Sequence, residues 1–290
     1  MKQFAYFDAT QRGTLRRVDY VGAQGARKYA LVYLPYGYET DRERRYDILY
    51  LMHGGGGSPD AWPDACPVKN MLDRAFAAGE AAPMIVVFPS FYADGPRRGV
   101  PGTVDADFER KSVLTFQTEE LTERLLPAVE GAVRGFAESV SPAALKAARR
   151  HRGFGGFSMG GVNTWYAFSL HLEYFSAFLP LSGDSWALGV MGGSEKPRET
   201  AAALREAVLA GGFGPEDFAI FAATGTEDIA YANLRPQIEA MQALDDVFRF
   251  DSGDGKGNLH WLAGEGMVHC YPDVLQYVYN YLPRLFSSKA

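Results

Sequence analysis

The chain has 290 residues and a mass of 31.8 kDa, which is enough for a large core and excludes a fold that depends on disulfide bonds. Hydrophobic residues make up 47% of the sequence and charged residues 22%, a balance that excludes a disordered chain. The formal net charge of −6 argues against nucleic-acid binding, which needs a basic surface, and weakly against docking on anionic membranes.

The two cysteines, Cys66 and Cys270, are far apart in the sequence and form no Cys-x-x-Cys pair. This pattern argues against a redox motif and a cysteine-built zinc site, and it predicts two free thiols while leaving a single disulfide bond open. The apolar runs are too short to cross a bilayer, and the first residues lack the apolar stretch of a signal peptide. We therefore expect a cytoplasmic protein, or a secreted one if a signal peptide has been removed from this sequence, with no membrane partner. Either a monomer or a homodimer fits the sequence.

Short apolar segments alternate with longer helical ones, without a repeat, a linker or a break in composition. The predicted strands cover residues 16–20, 29–34, 48–52, 84–88, 153–157, 177–181, 218–223 and 247–250. The predicted helices cover residues 69–78, 118–136, 142–149, 160–170, 198–209, 234–244 and 272–285. The middle strands are apolar throughout, as in strands covered on both faces. The alternation predicts one α/β domain over residues 1–290, with a mostly parallel central sheet of about eight strands and helices on both faces.

Three stretches rich in glycine, proline and charge interrupt this pattern, at residues 90–111, 185–200 and 251–266. Each follows a predicted strand, so we expect each at the carboxyl edge of the sheet, where open α/β folds place their sites. Whether residues 185–200 act as a lid stays open. Residues 251–258 loosely resemble a calcium loop, but glycine occupies the third and fifth ligand positions, so we interpret them as a turn.

The strongest motif is Gly-Phe-Ser-Met-Gly at residues 156–160, which fits the pattern G-x-S-x-G. It lies between a predicted strand and a predicted helix, the context of a nucleophile elbow. Glycine is needed there because side chains at the flanking positions would collide with neighbouring backbone. The motif predicts that Ser158 is a nucleophile, although a glycine-rich turn before a helix can also be purely structural.

A second motif, His-Gly-Gly-Gly-Gly at residues 53–57, directly follows a predicted strand. Glycines allow backbone N–H groups to approach a ligand closely, as in the oxyanion-hole loop of an α/β-hydrolase. We predict Gly55 and Met159 as the two N–H donors. The alternative is a flexible loop; a phosphate-binding loop fits poorly because no Gly-Lys-Ser/Thr follows.

A serine nucleophile needs a base, and the sequence contains five histidines. In α/β-hydrolases the chain order is serine, acid, histidine, so the base should come late. His269 fits because it directly precedes the last predicted helix, whereas we expect His260 at the surface or the rim. For the others we expect a role in shaping the glycine motif (His53), a solvated face (His151), and a helix cap or packing contact (His171).

The acid should follow the strand after the nucleophile helix and its neighbour. Asp228 and Glu227 compete there, and we predict Asp228 because it has the shorter reach to the imidazole. We expect Asp184 in the substrate cleft or in loop hydrogen bonding. No H-E-x-x-H motif and no closely spaced histidine pair occurs, so we predict no metal and no cofactor.

These motifs resemble the esterase D-like branch of the α/β-hydrolases and, more narrowly, the feruloyl esterases of carbohydrate esterase family 1. The resemblance covers most of the chain and rests on residues 33–38, 49–57, 156–161, 181–186 and 225–231. It implies the α/β-hydrolase fold, with the motif serine as nucleophile, the late histidine as base and the aspartate of Gly-x-x-Asp, here Asp228, as acid.

Two features depart from this family and its relatives. Many family members carry a tryptophan shortly after the catalytic histidine, where this chain has Cys-Tyr-Pro at residues 270–272. The related branch that hydrolyses S-formylglutathione usually has a cysteine in the loop after its His-Gly, and here that loop is all glycine. The first departure affects the predicted substrate pocket. The second argues against a hydrolase of S-formylglutathione.

The resemblance and the triad together predict a serine carboxylic-ester hydrolase that releases ferulate or related hydroxycinnamates from plant cell-wall sugar esters through an acyl-enzyme. The partner is then a small-molecule or oligosaccharide ester. A cinnamoyl group needs an aromatic, apolar slot. The candidates, of which we favour the first, are Trp186, Trp62, Phe91, Tyr92 and Trp261, while Trp165 is expected to pack against the sheet.

Several alternatives stay open. The chain could be an acetyl-xylan or general short-chain carbohydrate esterase, or an esterase like S-formylglutathione hydrolase. An acyltransferase would use the same acyl-enzyme with a sugar or lipid alcohol in place of water. A non-catalytic binding module on a hydrolase scaffold predicts a missing triad member, and here all three are present.

Overall fold

The computed structural model describes residues 1–6, 8–93, 105–253 and 255–286. Its centre is an eight-stranded sheet with the spatial order β1-β2-β4-β3-β5-β6-β7-β8. The strands are β1 (Thr14–Val21), β2 (Arg27–Leu34), β3 (Ile48–Met52), β4 (Ile85–Phe88), β5 (Arg152–Phe157), β6 (Ala177–Leu181), β7 (Ala219–Gly225) and β8 (Leu259–Gly264). The pairs β1–β2 and β2–β4 are antiparallel, and every other pair is parallel. The predicted sheet is therefore confirmed.

Helices connect most of the strands. They are α1 (Ala61–Ala65), α2 (Val68–Ala77), α3 (Ala106–Thr115), α4 (Leu126–Glu130), α5 (Pro142–Ala147), α6 (Met159–Leu170), α7 (Gly192–Glu195), α8 (Pro197–Ala210), α9 (Tyr231–Gln242) and α10 (Tyr271–Tyr281). A π-helical segment, Phe116–Leu125, joins α3 to α4. The helix predicted over residues 118–136 thus starts earlier and ends at Glu130, and the short helices α1 and α7 were not predicted because they show too few turns for a periodic pattern.

Both faces of the sheet are covered. Along β3, the side chains of Ile48, Tyr50 and Met52 belong to one hydrophobic cluster. Those of Leu49 and Leu51 belong to the other. Because successive side chains of a strand point to opposite faces, both clusters need helices over them, and this explains the uninterrupted apolar runs of the central strands. The first cluster includes residues of the α3–α4 segment, α6, α8 and α9, and the second includes residues of α1, α2 and α10.

The prediction of the last strand is wrong. Residues 247–250 form only an isolated bridge from Phe250 to Leu259, and the strand that pairs with β7 is β8. Residues 247–250, Val-Phe-Arg-Phe, are rich in β-branched and aromatic side chains and gave a stronger strand signal than β8, which contains a polar histidine and lies partly exposed at the border of the sheet. Residues 251–253 and 255–258 consequently precede β8 and lie at the amino edge of the sheet, opposite to our expectation, while residue 254 lies outside the described residues. Of the predicted loop at 90–111, residues 94–104 lie outside the described residues, and residues 106–111 belong to α3.

Candidate active site

Ser158 lies in a sharp turn between β5 and α6, with φ 57° and ψ −116°. A non-glycine residue in this region stores strain of about 1–3 kcal/mol, which tight packing must maintain. A Cβ atom on Gly156 would lie 2.7 Å from the backbone of Gly160, and one on Gly160 would lie 2.6 Å from the carbonyl oxygen of Met52. The glycines of the motif are thus required because the turn packs against itself and against β3.

The structure brings Ser158, His269 and Asp228 into one hydrogen-bonded chain. His269 Nε2 lies 2.9 Å from Ser158 Oγ, although the two residues are 111 positions apart in the sequence. His269 Nδ1 lies 2.7 Å from Asp228 Oδ1. The three residues follow β5, β7 and β8, whose carboxyl ends meet at the same edge of the sheet. Glu227, the competing acid, is exposed.

The environment of Asp228 keeps it ionised. Its side chain is fully buried, and the backbone N–H of Ala230 donates to Oδ1 over 2.7 Å. Burial raises the pKa of Asp228, but hydrogen bonds from His269, Ser182 and Ala230 lower it more, so the pKa lies below its usual value. A carboxylate can only accept hydrogen bonds, so Nδ1 of a neutral His269 carries the proton and Nε2 presents its lone pair to Ser158.

The glycine loop, residues 53–57, lies directly on the turn that carries Ser158. A Cβ atom on Gly54 would lie 3.3 Å from Ser158 Cβ, and one on Gly55 would lie 3.4 Å from Met159 Cγ. Within the described parts of the chain, neither Gly55 N–H nor Met159 N–H donates a hydrogen bond. One of these amides directly follows Ser158 and the other lies in the loop that packs on its turn, and an oxyanion hole requires amides of this kind without an acceptor.

His53 connects the glycine loop to Ser90 through hydrogen bonds of its two ring nitrogens. Its Nδ1 lies 2.7 Å from the Gly54 carbonyl oxygen and its Nε2 lies 2.8 Å from Ser90 Oγ. Burial lowers the pKa of His53 to about 4, so the ring is neutral at physiological pH. Gly57 closes the loop because its N–H donates to the Gly54 carbonyl over 3.1 Å, and a Cβ on Gly57 would lie 2.8 Å from the His53 ring. These contacts match the expected role of His53 in shaping this loop.

Three of the aromatic residues predicted for a substrate slot are instead buried around the glycine loop. Trp62 is fully buried, and its Nε1–H donates to the Met52 carbonyl over 3.1 Å. Phe91 and Tyr92 are each only 2% exposed, and their rings pack against His53 at centroid distances of 4.9 and 5.6 Å. In the described structure the rings of all three residues are covered by neighbouring side chains and are almost inaccessible to solvent.

The two remaining aromatic candidates differ in position. Trp186 is 7% exposed, and its Nε1–H donates to Asp184 Oδ1 over 3.1 Å. Trp261 is half-buried in the middle of β8, so our expectation of a loop position is wrong. Asp184 itself is buried and accepts a second hydrogen bond from Gly193 N–H, which places it in loop hydrogen bonding. Trp165, as expected, is buried in the cluster over the sheet.

His260 also departs from expectation, since it is buried near the amino end of β8 and is neither a surface nor a rim residue. Its Nδ1 lies 2.7 Å from Asp251 Oδ2, and its ring stacks on Phe221. The sequence gives no direct signal for this pair, because the prediction placed His260 in a loop. His151 is partly exposed and pairs with Asp47.

Exposed apolar residues near the triad were missed by sequence reasoning. Ile229, next to Asp228, is 76% exposed, and Val268, next to His269, is 43% exposed. An apolar residue beside the acid and another beside the base, both in polar loops, is the signal that could have identified this rim.

In the described ranges, no group of three or more histidine, cysteine or acidic side chains is placed to hold a metal ion. Cys66 and Cys270 are free thiols. Of the helices that the structure describes, none has the length and apolar character of a membrane span.

The chain is similar in sequence and fold to known esterases. A family model described as putative esterase matches residues 24–210. The chain is 39% identical over 279 residues, or 96% of its length, to endo-1,4-beta-xylanase Y of Acetivibrio thermocellus, and it spans only 24% of that relative. A feruloyl esterase module from Clostridium thermocellum complexed with sinapinate superimposes with a TM-score of 0.80 at 37% identity, covering 99% of this chain and 98% of the module.

A more distant structure supports the fold alone. An S-formylglutathione hydrolase from Staphylococcus aureus superimposes with a TM-score of 0.66 at 13% identity, covering 98% of this chain and all of that one. Together with the sheet order and the strand–turn–helix around Ser158, these likenesses identify the α/β-hydrolase fold that the sequence predicts.

Proposed function

This chain belongs to the esterase family, and from that premise we propose that it is a serine carboxylic-ester hydrolase that acts on hydroxycinnamate esters of plant cell-wall sugars. The observation that carries the proposal is the hydrogen-bonded chain from Ser158 through His269 to Asp228 on a strained turn. A hydroxyl, an imidazole and a buried carboxylate in this order are the elements of acyl transfer.

The reaction starts when Ser158 Oγ attacks the ester carbonyl carbon. His269 Nε2, which already lies 2.9 Å from Oγ, takes the hydroxyl proton. Asp228 holds the imidazole in the reactive tautomer and stabilises the imidazolium that forms. His269 then protonates the leaving alcohol. Water attacks the carbonyl carbon of the acyl-enzyme while His269 takes one of its protons, and His269 returns this proton to Ser158 Oγ as the acid is released.

The negative oxygen of the tetrahedral intermediate needs donors. Gly55 N–H and Met159 N–H are the proposed pair because neither has an acceptor in the described parts of the chain, Met159 follows Ser158 directly and the loop of Gly55 packs against Met159. Each donor in a comparable site contributes about 3–4 kcal/mol to lowering the barrier.

The hydroxycinnamate assignment is supported by the module complexed with sinapinate, which is 37% identical to this chain. The rim residues Ile229 and Val268 offer apolar surface beside the triad for a flat acyl group. We propose that they, with Trp186, contact the substrate. The burial of Trp62, Phe91 and Tyr92 favours a second candidate, a short-chain carbohydrate esterase, because these rings are not open to a cinnamoyl group.

The test is the initial rate on methyl ferulate, methyl sinapate, p-nitrophenyl acetate and S-formylglutathione. We expect turnover of the two hydroxycinnamates, and its loss in Ser158→Ala. Ser169→Ala is the matched control, since Ser169 lies in α6 and its hydroxyl donates to the Trp165 carbonyl over 3.0 Å. Turnover of the acetate alone would favour the short-chain alternative. Equal activity of Ser158→Ala and the wild type would refute the serine mechanism.

A further inference from the structure

The amides of the glycine loop are held unequally. Gly54 N–H donates to the Tyr271 hydroxyl over 3.2 Å, and Gly56 N–H donates to the Tyr92 hydroxyl over 2.7 Å. Gly55 lies between these two anchored amides, and its own N–H has no acceptor among the residues that the structure describes. The loop is thus fixed on both sides of the one amide that remains available.

The direction of the Tyr92 contact is fixed by its second partner. The Tyr92 hydroxyl lies 2.6 and 2.8 Å from the two carboxylate oxygens of Glu109, a buried residue of α3. A carboxylate accepts and a backbone N–H donates, so the phenol proton goes to Glu109 and its lone pair receives Gly56 N–H. Phenylalanine at this position would remove the acceptor of Gly56 N–H and the hydrogen bond to the Glu109 carboxylate.

Tyr271 is held by packing. Its ring makes edge contacts with Trp62 at a centroid distance of 5.0 Å and with Phe157 at 4.9 Å. Trp62 is itself anchored to the Met52 carbonyl at the end of β3. The buried indole thus determines where the Tyr271 hydroxyl meets the glycine loop.

We propose that Tyr271 and Tyr92 are positioning residues that hold the glycine loop so that Gly55 N–H points at the developing oxyanion. The inference rests on the proposed function of Ser158, and it explains how the backbone of the glycine loop is held in place. Neither tyrosine contacts the reacting atoms; each acts through the backbone of a neighbouring glycine.

The placement of Tyr271 ties two parts of the reaction together. The segment that follows β8 supplies His269, and Tyr271 begins helix α10 directly after it. A shift of this segment would move the base and the anchor of the glycine loop at the same time. Proton transfer and oxyanion stabilisation are therefore set by one stretch of backbone.

The test compares Tyr271→Phe and Tyr92→Phe with the control Tyr281→Phe. Tyr281 lies on the same helix as Tyr271, is buried, and donates its hydroxyl proton to the Ala222 carbonyl over 2.8 Å, away from the glycine loop. Steady-state kcat and KM are measured on an ester that the wild type hydrolyses. The inhibition constant of a boronic acid, which forms a tetrahedral adduct on the serine, is measured in parallel.

We expect kcat to fall about 10- to 100-fold in both positioning variants, less than the loss of a whole oxyanion donor, with KM changed less than about threefold. The boronate should bind more weakly in proportion to the loss in kcat/KM, because both depend on the tetrahedral oxygen. Tyr281→Phe should lower the melting temperature by a few degrees and leave kcat unchanged.

Folded variants with wild-type kcat, or with a loss confined to KM, would overturn the proposal for these tyrosines. That result is distinct from a failure of the proposed function, which would show as a wild type without ester turnover or as an active Ser158→Ala.

Discussion

Strand β8 connects two histidine–aspartate pairs that look alike in isolation. His269, just beyond its carboxyl end, has Nδ1 at 2.7 Å from Asp228, and His260, near its amino end, has Nδ1 at 2.7 Å from Asp251. The aspartate side chains are equally inaccessible, at 0% and 2% exposure. The two pairs differ in the other groups that contact them.

At the carboxyl edge, His269 faces the hydroxyl of Ser158 on a turn with strained backbone. At the amino edge, His260 stacks on Phe221, and Asp251 also binds the guanidinium of Arg284. In the first case His269 Nε2 directs its lone pair at the Ser158 hydroxyl. In the second case the positive charge of Arg284 neutralises the Asp251 carboxylate. A histidine–aspartate pair is therefore not by itself evidence of catalysis, and the groups that contact the imidazole and the carboxylate decide its role.

The largest expected effect separates the two histidines. His269→Gln should reduce kcat by about 10⁴- to 10⁶-fold, because the nucleophile loses its base, while the melting temperature stays close to wild type. His260→Gln should retain turnover and lower the melting temperature instead. Kinetics on an ester together with thermal denaturation measure both quantities, and a drop in turnover for both variants at constant stability would contradict the comparison.

The next effect is on stability and concerns the amino edge. Asp251→Asn should lower the free energy of unfolding by about 3 kcal/mol, because it breaks a pair whose carboxylate is buried. Asp246→Asn is the control, since Asp246 also binds an arginine, Arg205, but both side chains are exposed. Urea unfolding should show little change for the control, and equal effects in the two variants would show that burial of Asp251 does not matter.

The same carboxylate predicts an acid dependence. Burial raises the pKa of Asp251, but hydrogen bonds from Arg284 and from the amides of Gly253 and Gly255 hold it far below its usual range. A carboxyl with a depressed folded-state pKa stabilises the fold above the unfolded value near 4, and this contribution is lost as the pH falls further. The difference in unfolding free energy between wild type and Asp251→Asn should thus be full at pH 7 and shrink below pH 4.

Asp184 provides a contrast of opposite sign. Burial raises the pKa of Asp184 to about 6, so it favours the folded state at low pH, and that contribution is lost as the pH rises through 6. A stability gap between wild type and Asp251→Asn that widened on acidification would contradict the assignment for Asp251.

The smallest effect concerns a third pair of this kind. His151 Nδ1 lies 2.8 Å from Asp47, but the side chains are 43% and 19% exposed. His151→Gln should change the free energy of unfolding by less than about 1 kcal/mol and leave kcat unaltered, because solvent already screens the pair. A decrease in the free energy of unfolding as large as that of Asp251→Asn would mean that solvent exposure does not determine how much each histidine–aspartate pair stabilises the fold.

Much of the fold could be predicted because its central strands are apolar runs between helical stretches. The strand at 259–264 could not, because its histidine is buried by pairing with Asp251 and stacking on Phe221, contacts that no local pattern reveals. The π-helical segment Phe116–Leu125 likewise depends on tertiary packing, in which Glu120 accepts from Tyr20 and pairs with Lys28.

The candidate triad could be proposed from motif, chain order and position after strands, and the structure brings Ser158, His269 and Asp228 together. The aromatic candidates could not be sorted by the same reasoning. Composition and loop position mark Trp62 as available, but its contact with Tyr271, which is distant in the sequence, buries it. Which aromatic rings are open to a ligand is decided by such long-range contacts.

Strand β1 forms one border of the sheet and pairs only with β2. Its exposed residues include Arg16, Arg17 and Asp19, of which Arg16 pairs with Glu39 and Arg17 with Asp19. An open strand edge is a template for pairing with another chain, and charged side chains oppose this because they would lose water. A neighbouring polypeptide that extended the sheet here would have to bury these charges, so the border is protected against edge-to-edge aggregation.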